Sequence, residues 1–258
     1  MFRLTKWYLD LVTDQGTALI VYAASIEATA LRVRFAATLL APVDTAPVER
    51  TAWSGVDLPE LTSEVLRFEH RGLALAGQWH RAAAPIEETL LDDDRGQLHW
   101  ACLLPNATAT VALGGERFTG AGYAECLTMT RPPWALPFRE LRWGRWTSPA
   151  HNAVWIQWSD GPSRQWVWLD GAAEPGAALS DLSVRNLSQS SELRITPMRE
   201  LCDRRALRVV TGQLPALEPL LAGPLANLRE VKRLDRGILV RDGAPDEEGW
   251  VIHEVVRW

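Results

Sequence analysis

Two tryptophans and two arginines occupy five positions at Arg142–Trp146 ("RWGRW"), and "WIQW" (Trp155–Trp158) and "WVW" (Trp166–Trp168) follow at once. The chain holds 13 Trp against 5 Phe and 3 Tyr. Such a run cannot be packed freely. Indoles are large and rigid, with an N–H that needs a partner when buried. Their spacing of two along short segments is that of strands, where alternate side chains share a face.

The rest of the chain reads the same way. "TALIVYAA" (Thr17–Ala24), "SEVLRFEH" (Ser63–His70), "LALAGQWH" (Leu73–His80), "LHWACLLP" (Leu98–Pro105), "ATATVAL" (Ala107–Leu113) and "ERFTGAGYAECL" (Glu116–Leu127) are strand-like segments. Turn signals such as "TDQG", "LGGE", "SDGP" and "LDG" punctuate many of them. Helical periodicity is weak; in "EPLLAGPLANLREVKRL", Gly223 and Pro224 interrupt it. An all-β, antiparallel, barrel-like fold is expected. The aromatic opening "KWYLDLVTDQGTALIVY" has an echo in "LRWGRWTSPAHNAVWIQWSDG", which points to two consecutive β-domains, 1–114 and 115–258, meeting at Gly114–Gly115.

Composition bounds the function. The net charge of −5 lacks the basic stripe that nucleic acid requires. Three cysteines without CxxC spacing suit reduced thiols in the cytoplasm rather than a disulfide framework or a zinc site, and the five histidines show no metal-ligand spacing. No segment has the length and apolarity of a membrane span. Neither a Rossmann glycine pattern nor a P-loop is present, and no cofactor is expected.

Alternation splits the tryptophan segments into faces. Arg142, Gly144 and Trp146 oppose Leu141, Trp143 and Arg145; Trp155 and Gln157 oppose Val154, Ile156 and Trp158. Each Trp on its own would serve in a packed core. Clustered on neighbouring hairpins, Trp143, Trp146, Trp155 and Trp158 are expected to wall an apolar cavity, with Arg142 and Gln157 as its few polar groups. Two carboxylates stand on apolar faces. Glu125 shares a face with Ala121, Tyr123 and Leu127, backed by small Gly120, Gly122, Ala124 and Cys126. Glu254 lies among Trp250, Ile252, Val256 and Trp258. Desolvation raises the pKa of such a carboxyl and makes it a potential general acid. The alternative is a buried ion pair with Arg142, Arg145 or Arg257.

These residues resemble a known group. The series "GAGYAECL", "PPWALPFRELRWGRW" and "NAVWIQWSDGPSRQWVWLDG", with "WYLD" (Trp7, Tyr8, Asp10) near the start and "HEVVRW" at the end, is similar to the lipocalin-like superfamily of carotenoid 1,2-hydratase (hydroxyneurosporene synthase) and AttH-type proteins. Tocopherol cyclase and Diels–Alderase-type cyclases are more distant members. The resemblance implies two tandem calycin-type barrels holding an apolar ligand. It also implies that the acid after the tyrosine protonates an isoprenoid double bond, giving a tertiary carbocation that water captures. Only Tyr123 and Glu125 carry over. Where the hydratases have acid-His-Asn, this chain has Glu125, Cys126 and Leu127.

Two functions are therefore open. One is cofactor-independent hydration, isomerisation or cyclisation of a terpenoid- or polyene-like molecule, with Glu125 as acid, Tyr123 as its partner and Glu254 in reserve. The other is non-catalytic carriage of a hydrophobic small molecule. The surroundings of Glu125 discriminate: a carboxyl locked to an arginine favours the carrier.

Overall fold

A computed structural model of the protein describes residues 2–28, 31–205 and 228–257. The chain forms two compact units, residues 1–135 and 136–258, each built on one antiparallel sheet. Short 3-10 turns are the only helical elements among the described residues, and no helix is long and apolar enough to cross a membrane. The weak helical candidate falls mostly at positions outside the described residues; its tail, from Arg229, is strand.

The first unit comprises β1 (Phe2–Val12), β2 (Ala18–Ala28), β3 (Leu31–Ala41), β4 (Val48–Ala52), β5 (Glu60–Leu61), β6 (Val65–His70), β7 (Leu75–Arg81), β8 (Ile86–Asp93), β9 (Gly96–Leu113) and β10 (Glu116–Met129). The second comprises β11 (Glu140–Thr147), β12 (Asn152–Ser159), β13 (Arg164–Leu169), β14 (Ala172–Ala173), β15 (Ala178–Leu179), β16 (Ser183–Leu187), β17 (Ser191–Arg205), β18 (Arg229–Val240) and β19 (Glu247–Arg257). Strand order is β4-β3-β2-β1-β10-β9-β7-β6-β5 in one sheet, with β8 also paired to β9. In the other it is β14-β13-β12-β11-β19-β18-β17-β16-β15. Both are meanders whose first strand closes onto the last. The single strand β17 takes the place that β7 and β8 share. The aromatic hairpins read as an internal echo, β1–β2 and β11–β12, hold the same place in each sheet.

Gly114 and Gly115, expected to separate the domains, instead form the turn of the β9–β10 hairpin. Both have positive φ (62° and 93°), as a tight two-residue turn requires. The seam between units lies some twenty residues later in the chain. The segments 98–105 and 107–113 are likewise one strand, β9, carried through Pro105 by irregularities in its pairing with β10. A β-bulge accommodates a proline that cannot donate to the ladder.

Each sheet curls around an apolar interior. In the first, Leu19 and Val21 of β2 share one buried cluster with Leu66 and Phe68 of β6, strands far apart in sheet order. At about 4.8 Å per strand, a flat sheet would hold them far out of contact. In the second, Trp146, Trp155, Val167, Leu193, Leu239 and Val251 form the corresponding core.

Large indoles fit these interiors because a glycine lies beneath each. A Cβ on Gly144 would stand 2.2 Å from the Trp155 ring, and one on Gly237 would stand 2.5 Å from Trp146. In the first unit, a Cβ on Gly122 would meet Trp79 at 2.8 Å and Ala109 at 2.7 Å. Trp79 donates its indole N–H to the Asp10 carbonyl at 2.7 Å, and Trp146 donates to the Gly237 carbonyl at 3.1 Å. Trp79 packs closely on the small face of β10 at Gly122.

Gly→Ala exchanges normally stabilise by about 0.4–1 kcal/mol through the unfolded chain where the backbone allows it. At Gly144 the sign should reverse. Gly144→Ala is expected to lose about 2 kcal/mol or more, on the scale of core overpacking. Chemical denaturation measures this, and Trp155→Leu in the same background should recover part of the loss.

Candidate functional site

The centre of the first unit's sheet brings β1 and β10 together in a register that sets Tyr8 opposite Glu125 and Asp10 opposite Tyr123. Two tyrosines and two carboxylates thus stand at the corners of a square on one sheet face. Hydrogen bonds run along its strand edges. Tyr8 Oη donates to Asp10 Oδ2 at 3.0 Å, and Tyr123 Oη donates to Glu125 Oε2 at 2.7 Å. From β9, Trp100 Nε1 donates to the same Glu125 oxygen at 2.6 Å. Tyr123, Tyr8, Asp10 and Trp100 are all at most 3% exposed, while Glu125 is partly exposed. The pairing expected between Tyr123 and Glu125 is present; Trp100 is a second donor that sequence reasoning missed.

The bulges in β9 keep this cluster on one face. Trp100 and Cys102 lie across from Leu127 and Glu125, while Leu104, Ala107, Ala109 and Val111 belong to the core on the other side. One irregularity would put β9 out of phase; two restore the alternation.

Aromatic rings frame the carboxylates. The Tyr8 ring meets Tyr22 edge-on at 5.5 Å and Tyr123 at 6.0 Å between centroids. The Lys6 ammonium lies 5.3 Å from the Tyr22 ring. Burial, together with Cys102 and Glu125 nearby, pushes the Tyr123 phenol well above its ordinary pKa. Tyr123 therefore stays protonated and acts as a donor. Burial likewise pushes the Cys102 thiol well up, and the Cys126 thiol to about 12 with Glu125 adding to the effect.

Glu254 holds the same register position in the second sheet: it lies opposite Trp143 of β11, as Glu125 lies opposite Tyr8 of β1. Its surroundings differ. Fully buried Lys232 of β18 forms an ion pair with Glu254, approaches Glu230 at 3.5 Å and lies 5.5 Å from the Trp143 ring. The ion pair weighed for this glutamate is present, with a lysine in place of the arginines considered. Arg142 binds Glu140 and Asp181, Arg257 binds Glu140 at 2.7 Å, and buried Arg145 donates to Thr147 Oγ1 and the Trp250 carbonyl. Trp258 lies outside the described residues.

The four tryptophans proposed as one wall stand on two faces. Trp146 and Trp155 face the interior of the second unit with Val167 and Val251. Trp143 and Trp158 alternate with them onto the opposite face, where Trp158 stacks on Phe138 at 4.4 Å and meets Trp166 at 4.9 Å. Beside the packed core lies a cavity of about 250 Å³, lined by Arg142, Trp155, Ile195, Arg233, Asp235 and His253 among others. Trp143 and Glu254 also border it. Gln157 pairs across the strands with Arg142 and Gln165 and is partly buried. Glu125 and the residues of this cavity belong to different units.

No protein-family model matches the sequence, and no curated protein does. Solved structures do. A protein of Nitrosomonas europaea described as an AttH is 14% identical, with a TM-score of 0.55 over 98% of this chain and 92% of that one. Kievitone hydratase from Nectria haematococca is 11% identical, with a TM-score of 0.56 over 98% and 88%. CghA, solved with Sch210972, is 11% identical, with a TM-score of 0.55 over 99% and 88%. The shared feature is the fold. The expected relation to AttH-type proteins holds at that level and spans both units.

With a pKa of about 12, Cys126 carries almost no thiolate near neutrality. It should stay unalkylated by iodoacetamide at pH 8 in the native protein and react once the chain is unfolded; peptide mapping of the alkylated protein checks this.

Proposed function

We propose that the protein is an enzyme that protonates an apolar, terpenoid- or polyene-like small molecule and thereby hydrates, isomerises or cyclises it, with Glu125 as the proton donor. The observation that carries this reading is the pair of neutral donors, Tyr123 and Trp100, that converge on one oxygen of Glu125. With Oε2 accepting both, the neutral acid carries its proton on Oε1. The carboxyl is thereby oriented, and orientation is what a general acid needs beyond a suitable pKa.

The chemistry follows from the groups present. Oε1–H gives its proton to a double-bond carbon of the substrate, and the π electrons form the new C–H bond. The cation left on the neighbouring carbon is stabilised by the carboxylate just formed and by the faces of Tyr8, Tyr22 and Tyr123. Water attack followed by proton return to Glu125 completes a hydration. Loss of a neighbouring proton to Glu125 gives an isomer, and attack by a second double bond gives a ring whose new cation in turn loses a proton to Glu125. Each route regenerates the acid, so a positioned proton donor is enough. Among proteins of this fold, one is named a hydratase and another was solved with Sch210972, in keeping with chemistry on small organic molecules. Glu254, held by Lys232, is not assigned the acid's role.

Glu125→Gln tests this. The amide keeps an oxygen for Tyr123 and Trp100 but has no acidic proton. Turnover of an isoprenoid and polyene panel, followed by chromatography and mass spectrometry, is expected to fall by a factor on the order of 10² or more, with ligand binding kept. The melting curve should barely move. Were Glu125 instead one half of a buried ion pair, the amide would strand a cation and cost about 3–5 kcal/mol.

A further inference from the structure

We infer that the interior cavity of the second unit is a separate binding site for a small planar molecule bearing a carboxylate. Its lining combines Trp155 and Ile195 of the core with charged side chains. At about 250 Å³ it is below the roughly 300–1,000 Å³ of pockets for drug-sized ligands, so its occupant is small. The indole of Trp155 is held against Gly144 by close contact and offers a rigid surface for a ring.

The polar lining specifies the other end of the ligand. Asp235 is buried and already committed. One oxygen accepts the Met198 backbone N–H at 2.8 Å, and the other lies 2.7 Å from His253 Nε2. Burial alone would raise its pKa, but the His253 and Met198 hydrogen bonds and the charges of His253 and Arg233 hold the carboxyl below the usual range. It is an ionised acceptor, so His253 donates through Nε2 and is fixed in orientation. Arg233 reaches Asp235 only through Nε at 3.5 Å, and among the described residues its two Nη groups have no hydrogen bond. Arg142, by contrast, is occupied by Glu140 and by Asp181 of the β15–β16 turn. The cavity thus presents a one-third-exposed guanidinium with unspent donors beside an aligned imidazole. A carboxylate matches the fork of an arginine, accepting two N–H bonds at once. The ring end would lie on Trp155 and the acid end on Arg233.

Two probes of the same shape separate charge from fit: 2-naphthoate and 2-naphthamide, titrated into the full chain by calorimetry. Naphthoate is expected to bind at least tenfold more tightly than the amide. Arg233→Gln should abolish that preference, and Arg233→Lys should keep part of it. Since Arg233 is partly exposed, folding of both variants can be checked by their melting curves before titration. Equal affinity for the two probes overturns the inference. So does undiminished naphthoate binding by a folded Arg233→Gln protein, or no binding of millimolar naphthoate by the parent. None of these outcomes bears on Glu125, whose role is read from turnover.

Discussion

Both sheets depend on one steric arrangement, an indole laid against a glycine of another strand in the same sheet. An interior narrow enough to be filled by side chains has little room for tryptophan. Removing a Cβ from the facing strand provides that room, and the indole covers the backbone that the glycine leaves bare. Trp155 over Gly144, Trp146 over Gly237 and Trp79 over Gly122 are three instances. Trp79 and Trp146 also satisfy their N–H groups on backbone carbonyls, so burial leaves no unpaired donor there. Trp79 further links the core to the opposite sheet face: its acceptor is the carbonyl of Asp10, whose side chain belongs to the Tyr–acid square.

The two units repeat one plan and then diverge in how they accommodate a carboxylate on a largely buried face. Such a group must be hydrogen-bonded, paired with a cation, or neutral. Glu254 is paired with Lys232, whose own burial makes the pair costly to break from either side. Glu125, at the matching position, receives hydrogen bonds from a phenol and an indole. The phenol and the indole hold that group in place. The same strand position therefore carries a hydrogen-bonded carboxyl in one unit and an ion pair in the other.

Much of this was legible in the chain. Period-two apolar patterning with glycine-rich turns indicated strands throughout, and the repeat of an aromatic hairpin indicated two units. "GAGYAECL" placed Tyr123 beside Glu125 by alternation alone. Other features were not accessible. The Gly114–Gly115 pair carries the signal of a tight turn equally well inside a domain and between domains, and only pairing decides which. Trp100 lies 25 residues from Glu125 in sequence and reaches it through register, which local pattern does not specify. Lys232 belongs to a charged stretch that reads as solvent-facing, yet strand order buries it against Glu254. The grouping of Trp143 and Trp158 with Trp146 and Trp155 is different in kind. Alternation already put them on opposite faces, and clustering in sequence outweighed a rule that was available.

That separation of faces explains how a tryptophan-rich sheet can serve two ends. Trp146 and Trp155 fill the interior, and of these two Trp155 borders the space left beside Arg233 and His253. Trp143 and Trp158 belong to the reverse face, where they meet Lys232, Phe138 and Trp166. Strands apolar on both faces gain burial on each, which is why they tolerate Arg145 and Lys232 only with bonded partners. The first unit uses its reverse face differently, for three tyrosines in ring contact and a tryptophan and two acids tied to them by hydrogen bonds. Fold alone assigns no chemistry to either face. The difference lies in the donors: a phenol and an indole converge on Glu125, and a buried ammonium on Glu254.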